Sequence, residues 1–174
     1  KRIAKERAKL EAEGKIKKLK PLPPVGRDEQ LFALPNGWQW TRFSTYALEV
    51  STGPFGSMLH KSDYVSGGIP LVNPSHMIGG RIVPESNVAV SEPKATGLSS
   101  YRLRVGDIVM ARRGEVGRTA LVTENEEGWL CGTGSFVVRL APKVSQPYVV
   151  MLFRSASVRR YLGAESVGIT MVNL

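Results

Sequence analysis

Arginine residues are concentrated in the middle of this sequence, and their side chains could bind phosphate groups or base edges. Five of them fall between positions 102 and 118, namely Arg102, Arg104, Arg112, Arg113 and Arg118. Arginine donates paired hydrogen bonds to phosphate oxygens and to guanine in the major groove of DNA. Arg112 and Arg113 end an apolar run that predicts a strand, and consecutive strand side chains point to opposite faces. We therefore predict that at least one of this pair contacts a ligand.

A second group of candidates lies in loops that glycine and proline interrupt. Loops on a rigid scaffold are the usual place for recognition residues. Behind Arg112, Arg113 and Arg118, the candidates for phosphate or base contact are Lys61, Arg81 and Arg102. The loops 52–57 and 73–77 are the candidate base readers, with Thr52, Phe55, Ser57, Asn73, Ser75 and His76 singled out in them. Each polar residue in these loops could equally cap a turn, so that alternative stays open.

Candidate catalytic groups are few. The chain has one cysteine and two histidines, and it contains no HExxH, P-loop or GxGxxG motif. Cys131 with His60 or His76 could form a nucleophile and base, but such a cysteine is more commonly a small buried side chain. A single cysteine forms neither an internal disulfide nor a cysteine-based zinc site, and the reducing cytoplasm is the expected compartment. The sequence favours binding over catalysis.

Positive charge is strongest at the N-terminus. The formal net charge is +9, and residues 1–20 hold nine basic and three acidic side chains. The Ala, Lys, Glu and Arg content predicts a helix there that Gly14 ends. The prolines at 21, 23 and 24 then predict an extended linker. We accordingly divide the chain into a basic helix with a proline-rich linker over 1–33 and one domain over 34–174.

The domain combines short predicted strands with one predicted helix. Apolar segments between turn residues predict strands at 38–43, 69–72, from 81 onward, 101–104, 107–112, 118–123 and 135–140. An apolar stripe over 145–162, with Ser145 as N-cap, predicts a single amphipathic helix. Trp38 and Trp40 are expected in the core. The expected fold class is α+β, a curved, mostly antiparallel sheet with that C-terminal helix packed on it, preceded by the basic N-terminal helix.

Four segments in order along the chain resemble a known family. They are LPNGWQWTRF at 34–43, GIPLVNPSHMIGGRI at 68–82, GDIVMARRGEVGRTALV at 106–122 and GITMVNL at 168–174. The preceding ERAKLEAEGKIKKLKPLPP is similar to a helix and linker that lead into the same domain. Together they resemble a target recognition domain of the specificity subunit of type I restriction–modification systems, over nearly the whole chain.

That resemblance implies sequence-specific binding of double-stranded DNA without catalysis by this chain. It implies two kinds of partner: modification (methyltransferase) subunits that use S-adenosylmethionine to methylate adenine, and restriction (endonuclease and translocase) subunits that use ATP. This chain itself would then bind no cofactor. Since the family usually has two recognition domains and one is present here, we expect either a fragment or a half-subunit that pairs with itself.

Three other functions stay open at the level of sequence. An RNA- or single-strand-binding module would use exposed aromatic side chains as stacking platforms. A small enzyme would need an acid, base or nucleophile clustered in one pocket. A protein-interaction module would use the arginines against an acidic partner. Membrane insertion is not expected, because the longest apolar run, YVVMLF at 148–153, is far shorter than the ~18 residues a spanning helix needs.

Overall fold

The computed structural model describes residues 2–14, 16, 18, 22–30, 32–112, 114–115 and 117–165. Within these ranges the helices are α1 (Arg2–Ala12), α2 (Glu92–Gly97), α3 (Gln146–Arg154) and α4 (Ala156–Glu165). The strands are β1 (Ala47–Thr52), β2 (Tyr64–Val65), β3 (Ile69–Val72), β4 (Met77–Ile78), β5 (Arg81–Ile82), β6 (Ala89–Val90), β7 (Ile108–Ala111), β8 (Thr119–Leu121), β9 (Leu130–Cys131) and β10 (Ser135–Leu140). The residues group into two compact units, one of 1–49 with 140–144 and one of 50–139 with 145–174.

In the first unit, Arg7 fixes the helix α1 to the segment before β1. Its guanidinium pairs with Glu11 one turn further along, with 3.0 Å between Nε and Oε1. It also donates to the main-chain oxygens of Ser44 and Ala47 at 2.5 and 2.8 Å. The predicted N-terminal helix is confirmed. The helix ends at Ala12, and the turn after it contains Gly14, whose φ of +67° is a left-handed conformation that glycine adopts without strain.

The predicted strand over 38–43 is wrong. Residues 36–37 form a turn, and residues 43–45 form a 3-10 turn. Trp38 is 60% exposed, so it does not belong to the core. Trp40 is half-buried and packs edge-on against Phe32, with 5.0 Å between the ring centroids. The first strand begins only at Ala47.

In the second unit, β10, β7 and β8 form an antiparallel sheet, and the last residues of β1 lie at its other edge. Phe136 of β10 lies opposite Met110 of β7, and Val109 of β7 lies opposite Ala120 of β8. All four residues of β7 are buried, because this strand is central and both of its faces are covered. The strands predicted at 107–112, 118–123 and 135–140 are confirmed.

A second sheet in this unit has the order β2–β6–β3–β9. β3 runs antiparallel to β6 but parallel to β9, so Leu71 lies opposite Leu130 and Val72 opposite Cys131. A separate hairpin joins β4 to β5 through Gly79 and Gly80. The φ values of these glycines, +63° and +87°, are those that a type I′ hairpin turn requires at both of its central residues.

The C-terminal helix predicted over 145–162 is two helices. Ser155 separates α3 from α4 with an extended ψ of 147°. Its hydroxyl accepts a hydrogen bond from the Val158 N–H at 3.4 Å, which is the N-cap arrangement that begins a new helix. α3 has the predicted N-cap, Ser145, and packs against β8.

The predicted α+β class, with antiparallel sheets and C-terminal helices, is confirmed. One further predicted strand, 101–104, is wrong, because Ser99–Tyr101 form a 3-10 turn and Arg102 makes only a single bridge to Leu130. The division of the chain at residue 34 stays a prediction. None of the described helices is long and apolar enough to cross a lipid bilayer.

Candidate functional site

Two turns and two helices of the second unit enclose a cleft of about 280 Å³, here called the arginine cleft. Its walls are the β4–β5 turn, the β7–β8 turn, the end of α3 and the start of α4. The charged residues that line it are Glu115, Arg118, Arg154 and Arg159. Three arginines therefore face one carboxylate, and a surface of this kind attracts anions.

Glu115 bridges two of these arginines. Its Oε2 accepts from Nε of Arg118 at 3.1 Å and also from Nη2 of the same arginine, while its Oε1 accepts from Nη2 of Arg159. The hydrogen bond from Arg118, and secondarily the nearby charges, lower the pKa of the Glu115 carboxyl below its usual range. Glu115 is therefore ionised at neutral pH, and the cleft keeps a surplus of positive charge.

Glycines allow the two arginine-bearing helices to approach the turns. A Cβ atom at Gly80 would lie 3.0 Å from Nη1 of Arg154, so that side chain lies directly over the turn. A Cβ atom at Gly117 would lie 3.4 Å from Cγ of Arg159. Both glycines also have positive φ, +87° and +83°, which other residues rarely adopt.

A second group of predicted site residues meets around Gly132–Gly134, here called the glycine segment. A Cβ atom at Gly53 would lie 2.0 Å from the carbonyl oxygen of Gly132, and a Cβ atom at Gly132 would lie 2.1 Å from Oδ1 of Asn73. The main chain of the loop 52–57 thus touches the glycine segment on one side, and Asn73 touches it on the other. The two loops predicted to read bases therefore share one support.

Arg112 joins this group from the end of β7. Its main-chain N–H donates to the carbonyl oxygen of Gly134 at 2.9 Å. The guanidinium Nε is buried and has no hydrogen-bond partner, and no carboxylate among the described residues pairs with the side chain. A half-buried cation without a partner is costly, so its position favours an external anion or acceptor. Arg113 lies outside the described residues.

The other predicted cationic residues differ in how many hydrogen bonds and ion pairs they already form within the chain. The Arg118 guanidinium, besides its contacts with Glu115, donates to the Pro74 carbonyl at 3.3 Å. Arg102 pairs with Glu92 at 2.8 Å and donates to the Gly128 carbonyl, so the internal structure already uses it. Lys61 and Arg81 are exposed. The arginines clustered in sequence therefore do not form one common surface.

The loop residues are also divided between surface and interior. Thr52, Ser57 and Ser75 are exposed, and the Phe55 side chain is 57% exposed. His76 is only 2% exposed. Its Nδ1 lies 2.9 Å from the Leu71 carbonyl oxygen and 3.2 Å from the Asn73 main-chain nitrogen. Because these two contacts need opposite roles of Nδ1, we assign the shorter one, in which Nδ1–H donates to Leu71. His76 supports the loop from inside.

The site residues predicted from the sequence do not include Arg154 or Arg159, although the structure places both in the arginine cleft. The signal available in the sequence was a second arginine cluster near the C-terminus, at 154–160. What the sequence did not show is that a serine divides the helix there and turns this cluster toward the β4–β5 and β7–β8 turns.

Cys131 is buried in the core of the second unit. Burial raises the pKa of its thiol to about 12, with the Asp107 charge adding to the effect. The reactive form of cysteine is the thiolate, so this residue is not an available nucleophile. Among the residues that the structure describes, no group of three histidine, cysteine or acidic side chains is placed to hold a metal ion.

We expect Cys131 to resist thiol reagents in the folded protein. With a pKa of about 12, roughly one thiol in ten thousand is ionised at pH 8, and the sulfur is enclosed as well. Reaction with a chromogenic disulfide should be negligible in buffer and should reach one equivalent in guanidinium chloride. Rapid labelling of the native chain would contradict the assignment. The single cysteine of the chain makes the result unambiguous.

The sequence is similar to two curated proteins, while no family model matches it. It is 34% identical over 111 residues to the type I restriction enzyme EcoAI specificity subunit of Escherichia coli, a match that covers 64% of this chain and 18% of that protein. It is 49% identical over 53 residues to the EcoEI specificity subunit of the same organism, covering 30% and 9%. The chain thus spans less than a fifth of the length of the curated relatives it matches.

Solved structures share the fold at low sequence identity. The HsdS subunit from Thermoanaerobacter tengcongensis gives a TM-score of 0.57 at 18% identity, over 83% of this chain and 34% of that one. The S subunit of a type I restriction–modification system from M. genitalium gives 0.51 at 16% identity, over 82% and 33%. A chain from a study of complex assembly of the type I R-M system gives 0.56 at 19%, over 99% and 38%. The resemblance predicted from the sequence segments is confirmed.

Proposed function

We propose, since the chain is related to the specificity subunits of type I restriction enzymes, that it recognises a target sequence in double-stranded DNA for such an enzyme. The similarity to two curated specificity subunits carries this proposal. The structure supports it with a suitable arrangement of side chains. Reading base edges needs hydrogen-bond donors and acceptors on a rigid support. Binding the DNA backbone needs cationic side chains near that support.

The group around the glycine segment fits the base-reading part. It brings the half-buried guanidinium of Arg112 together with two loops that expose Thr52, Phe55 and Ser75. The segment is held to the core because the Gly132 N–H and the Ser135 hydroxyl both bond to the Val72 carbonyl oxygen, at 3.0 and 3.1 Å. Loop residues on such a support can present fixed hydrogen-bonding groups to a groove of DNA.

The proposal assigns the chemistry to partner subunits. This chain would be the non-catalytic recognition part, and modification and restriction subunits would bind S-adenosylmethionine and ATP. The buried Cys131 and the interior position of His76 support this division, because neither side chain is placed for catalysis. The cytoplasm, where the DNA lies, is the compartment that goes with this function.

The direct test is to map methylated adenine in the source genome with this gene intact and with it deleted. The proposal expects a split sequence motif to lose its methylation in the deletion strain and to regain it when the gene is restored. Restoration with an Arg112→Ala gene should give weaker or relaxed methylation of one half of the motif. An unchanged set of methylated motifs in the deletion strain would refute the proposal.

We expect Arg112→Ala to weaken DNA binding by about 1–3 kcal/mol if the guanidinium contacts a base. Arg112→Lys separates the two kinds of contact, since lysine keeps the charge for a phosphate but loses the paired donors for guanine. A base reader is indicated if both variants lose discrimination at one position. A phosphate contact is indicated if only the alanine variant is weaker, with a shallower dependence on salt.

The matched control is Arg104→Ala, which removes an exposed arginine that lies outside both groups of site residues. Melting temperatures of all three variants should stay close to that of the parent, because the Arg112 guanidinium has no ion pair with the residues that the structure describes. Equal losses of binding in the Arg104 and Arg112 variants would show that only overall charge matters.

A further inference from the structure

The arginine cleft holds more positive charge than its own carboxylate neutralises. Each oxygen of Glu115 is bound by one guanidinium, Oε2 by Arg118 and Oε1 by Arg159. Arg154, the third arginine, has no carboxylate partner within the described part of the chain. All these groups belong to the second unit. The site residues predicted from the sequence do not include Arg154 or Arg159.

We propose that the arginine cleft binds one phosphodiester group of duplex DNA, and that Glu115 occupies the place of this group in the free chain. A carboxylate and a phosphodiester each carry one negative charge and each present oxygens that a guanidinium fork can bind. The proposal rests on the DNA-binding function above and adds a site to it. It also adds a competition between an internal and an external anion.

The cleft is formed before any ligand arrives. The Arg118 guanidinium is also held by a partner other than Glu115, because its Nη1 donates to the Pro74 carbonyl oxygen at 3.3 Å. Arg154 lies over Gly80, and that turn is fixed because the Leu121 N–H donates to the Gly80 carbonyl at 3.2 Å. The volume of about 280 Å³ is several times the ~30 Å³ that a water molecule takes in the liquid, so a phosphate group fits.

A phosphate can displace Glu115 from the arginine cleft because the ion pairs of Glu115 are exposed to solvent. The side chains of Glu115 and Arg159 are 45% and 43% exposed, and that of Arg118 is 34% exposed. Ion pairs at this exposure are weak and compete with other anions in solution. A DNA backbone brings many phosphates at high local density, so exchange of one carboxylate for one phosphate is favoured when the duplex is bound.

The test compares Glu115→Gln with the parent chain in binding a fluorescent mixed-sequence duplex of thirty base pairs, by anisotropy from 50 to 200 mM KCl. Glutamine keeps the size of the side chain and removes the competing charge. We expect an affinity gain of about threefold to tenfold, largest at low salt. The matched control is Glu124→Gln, which removes an exposed carboxylate that lines no part of the arginine cleft. It should change affinity less than twofold.

A second variant, Arg154→Gln, keeps the test decisive if Glu115→Gln lowers stability, because Arg154 has no ion pair in the described structure to lose. We expect it to weaken duplex binding about threefold to tenfold, with a slope of log affinity against log salt that is shallower by about 0.9. Duplex binding by the parent chain that neither variant changes would overturn the cleft site and leave the proposed function standing. Failure of the parent chain to bind duplex at any salt concentration would instead count against the proposed function itself.

Discussion

Replacing Asp107 by alanine is expected to lower the free energy of unfolding by about 3–5 kcal/mol, the usual cost of leaving one member of a buried ion pair without its partner. Asp107 and Arg139 are only 5% and 15% exposed. Nε of Arg139 lies 3.1 Å from Oδ1 of Asp107, and its Nη2 lies 3.2 Å from Oδ2. Oδ2 also accepts the Arg104 N–H at 3.0 Å. Alanine removes all of these acceptors.

The ion pair of Asp107 and Arg139 itself adds little net stability. The expected loss must therefore come from what Asp107→Ala leaves behind. Burial raises the pKa of Asp107 above its usual range, although the Arg139 guanidinium opposes that shift. Burial therefore costs the Asp107 carboxylate more than its contact with Arg139 returns. The loss in Asp107→Ala arises from Arg139, which stays enclosed with its charge and without its main acceptor.

Urea unfolding measured by circular dichroism would test this expectation. Asp107→Asn should lose less than the alanine variant, because the amide oxygen can still accept the Arg104 N–H. Glu92→Ala is the contrasting control: its carboxylate pairs with Arg102 at 2.8 Å but is 64% exposed. Pairs of that kind contribute about 0–1 kcal/mol. Equal losses in the Asp107 and Glu92 variants would show that burial is not what matters.

Local patterns in the sequence predicted several elements of this fold correctly. The strands at 69–72 and 135–140 have the same bounds in the structure, because runs of β-branched and apolar residues stand there between turn residues. The helix at the N-terminus follows from helix propensity, and its end just before Gly14 follows from the left-handed conformation that glycine permits. These features depend on residues close to one another in the chain.

Other elements depend on contacts that the sequence does not display. Residues 38–43 alternate like a strand but find no partner strand, so they remain irregular. The apolar stripe over 145–162 continues across Ser155, yet the hydroxyl of Ser155 begins a second helix there. For residues 38–43 the tertiary structure overrides the local pattern. At Ser155 a local N-cap divides a helix whose apolar stripe is continuous.

The candidate site shows the same limit more clearly. Arg102 and Arg118 are near Arg112 in sequence, but carboxylates occupy both of them, Glu92 in one case and Glu115 in the other. The arginine cleft joins turns and helices that are far apart along the chain. Arg159, for example, meets Glu115 across 44 positions. A single sequence reveals which residues could bind anions, but their pairing is set by the fold.

Gly53→Ala is expected to destabilise the chain by about 3 kcal/mol, at the upper end of the usual range for overpacking. The Cβ atom would lie 2.0 Å from the Gly132 carbonyl oxygen and 2.8 Å from its carbonyl carbon. Because both are main-chain atoms, no change of rotamer relieves the clash. The backbone of either the loop 52–57 or the glycine segment has to move, and the hydrogen bond from the Gly53 N–H to the Ser135 carbonyl, 3.0 Å long, weakens with it.

The DNA selectivity of this variant shows whether the loop 52–57 reads bases from the position in which the glycine segment holds it. If Thr52 and Phe55 contact bases from a loop that the glycine segment holds in position, Gly53→Ala should lose discrimination between target and non-target duplex while it remains folded at low temperature. The matched control is Gly97→Ala, whose added methyl group meets no atom within 4 Å and which lies at the end of α2. Alanine is the better helix former there, so stability should hold or rise slightly. A Gly53→Ala chain that is less stable but equally selective would show that the loop does not read bases from this support.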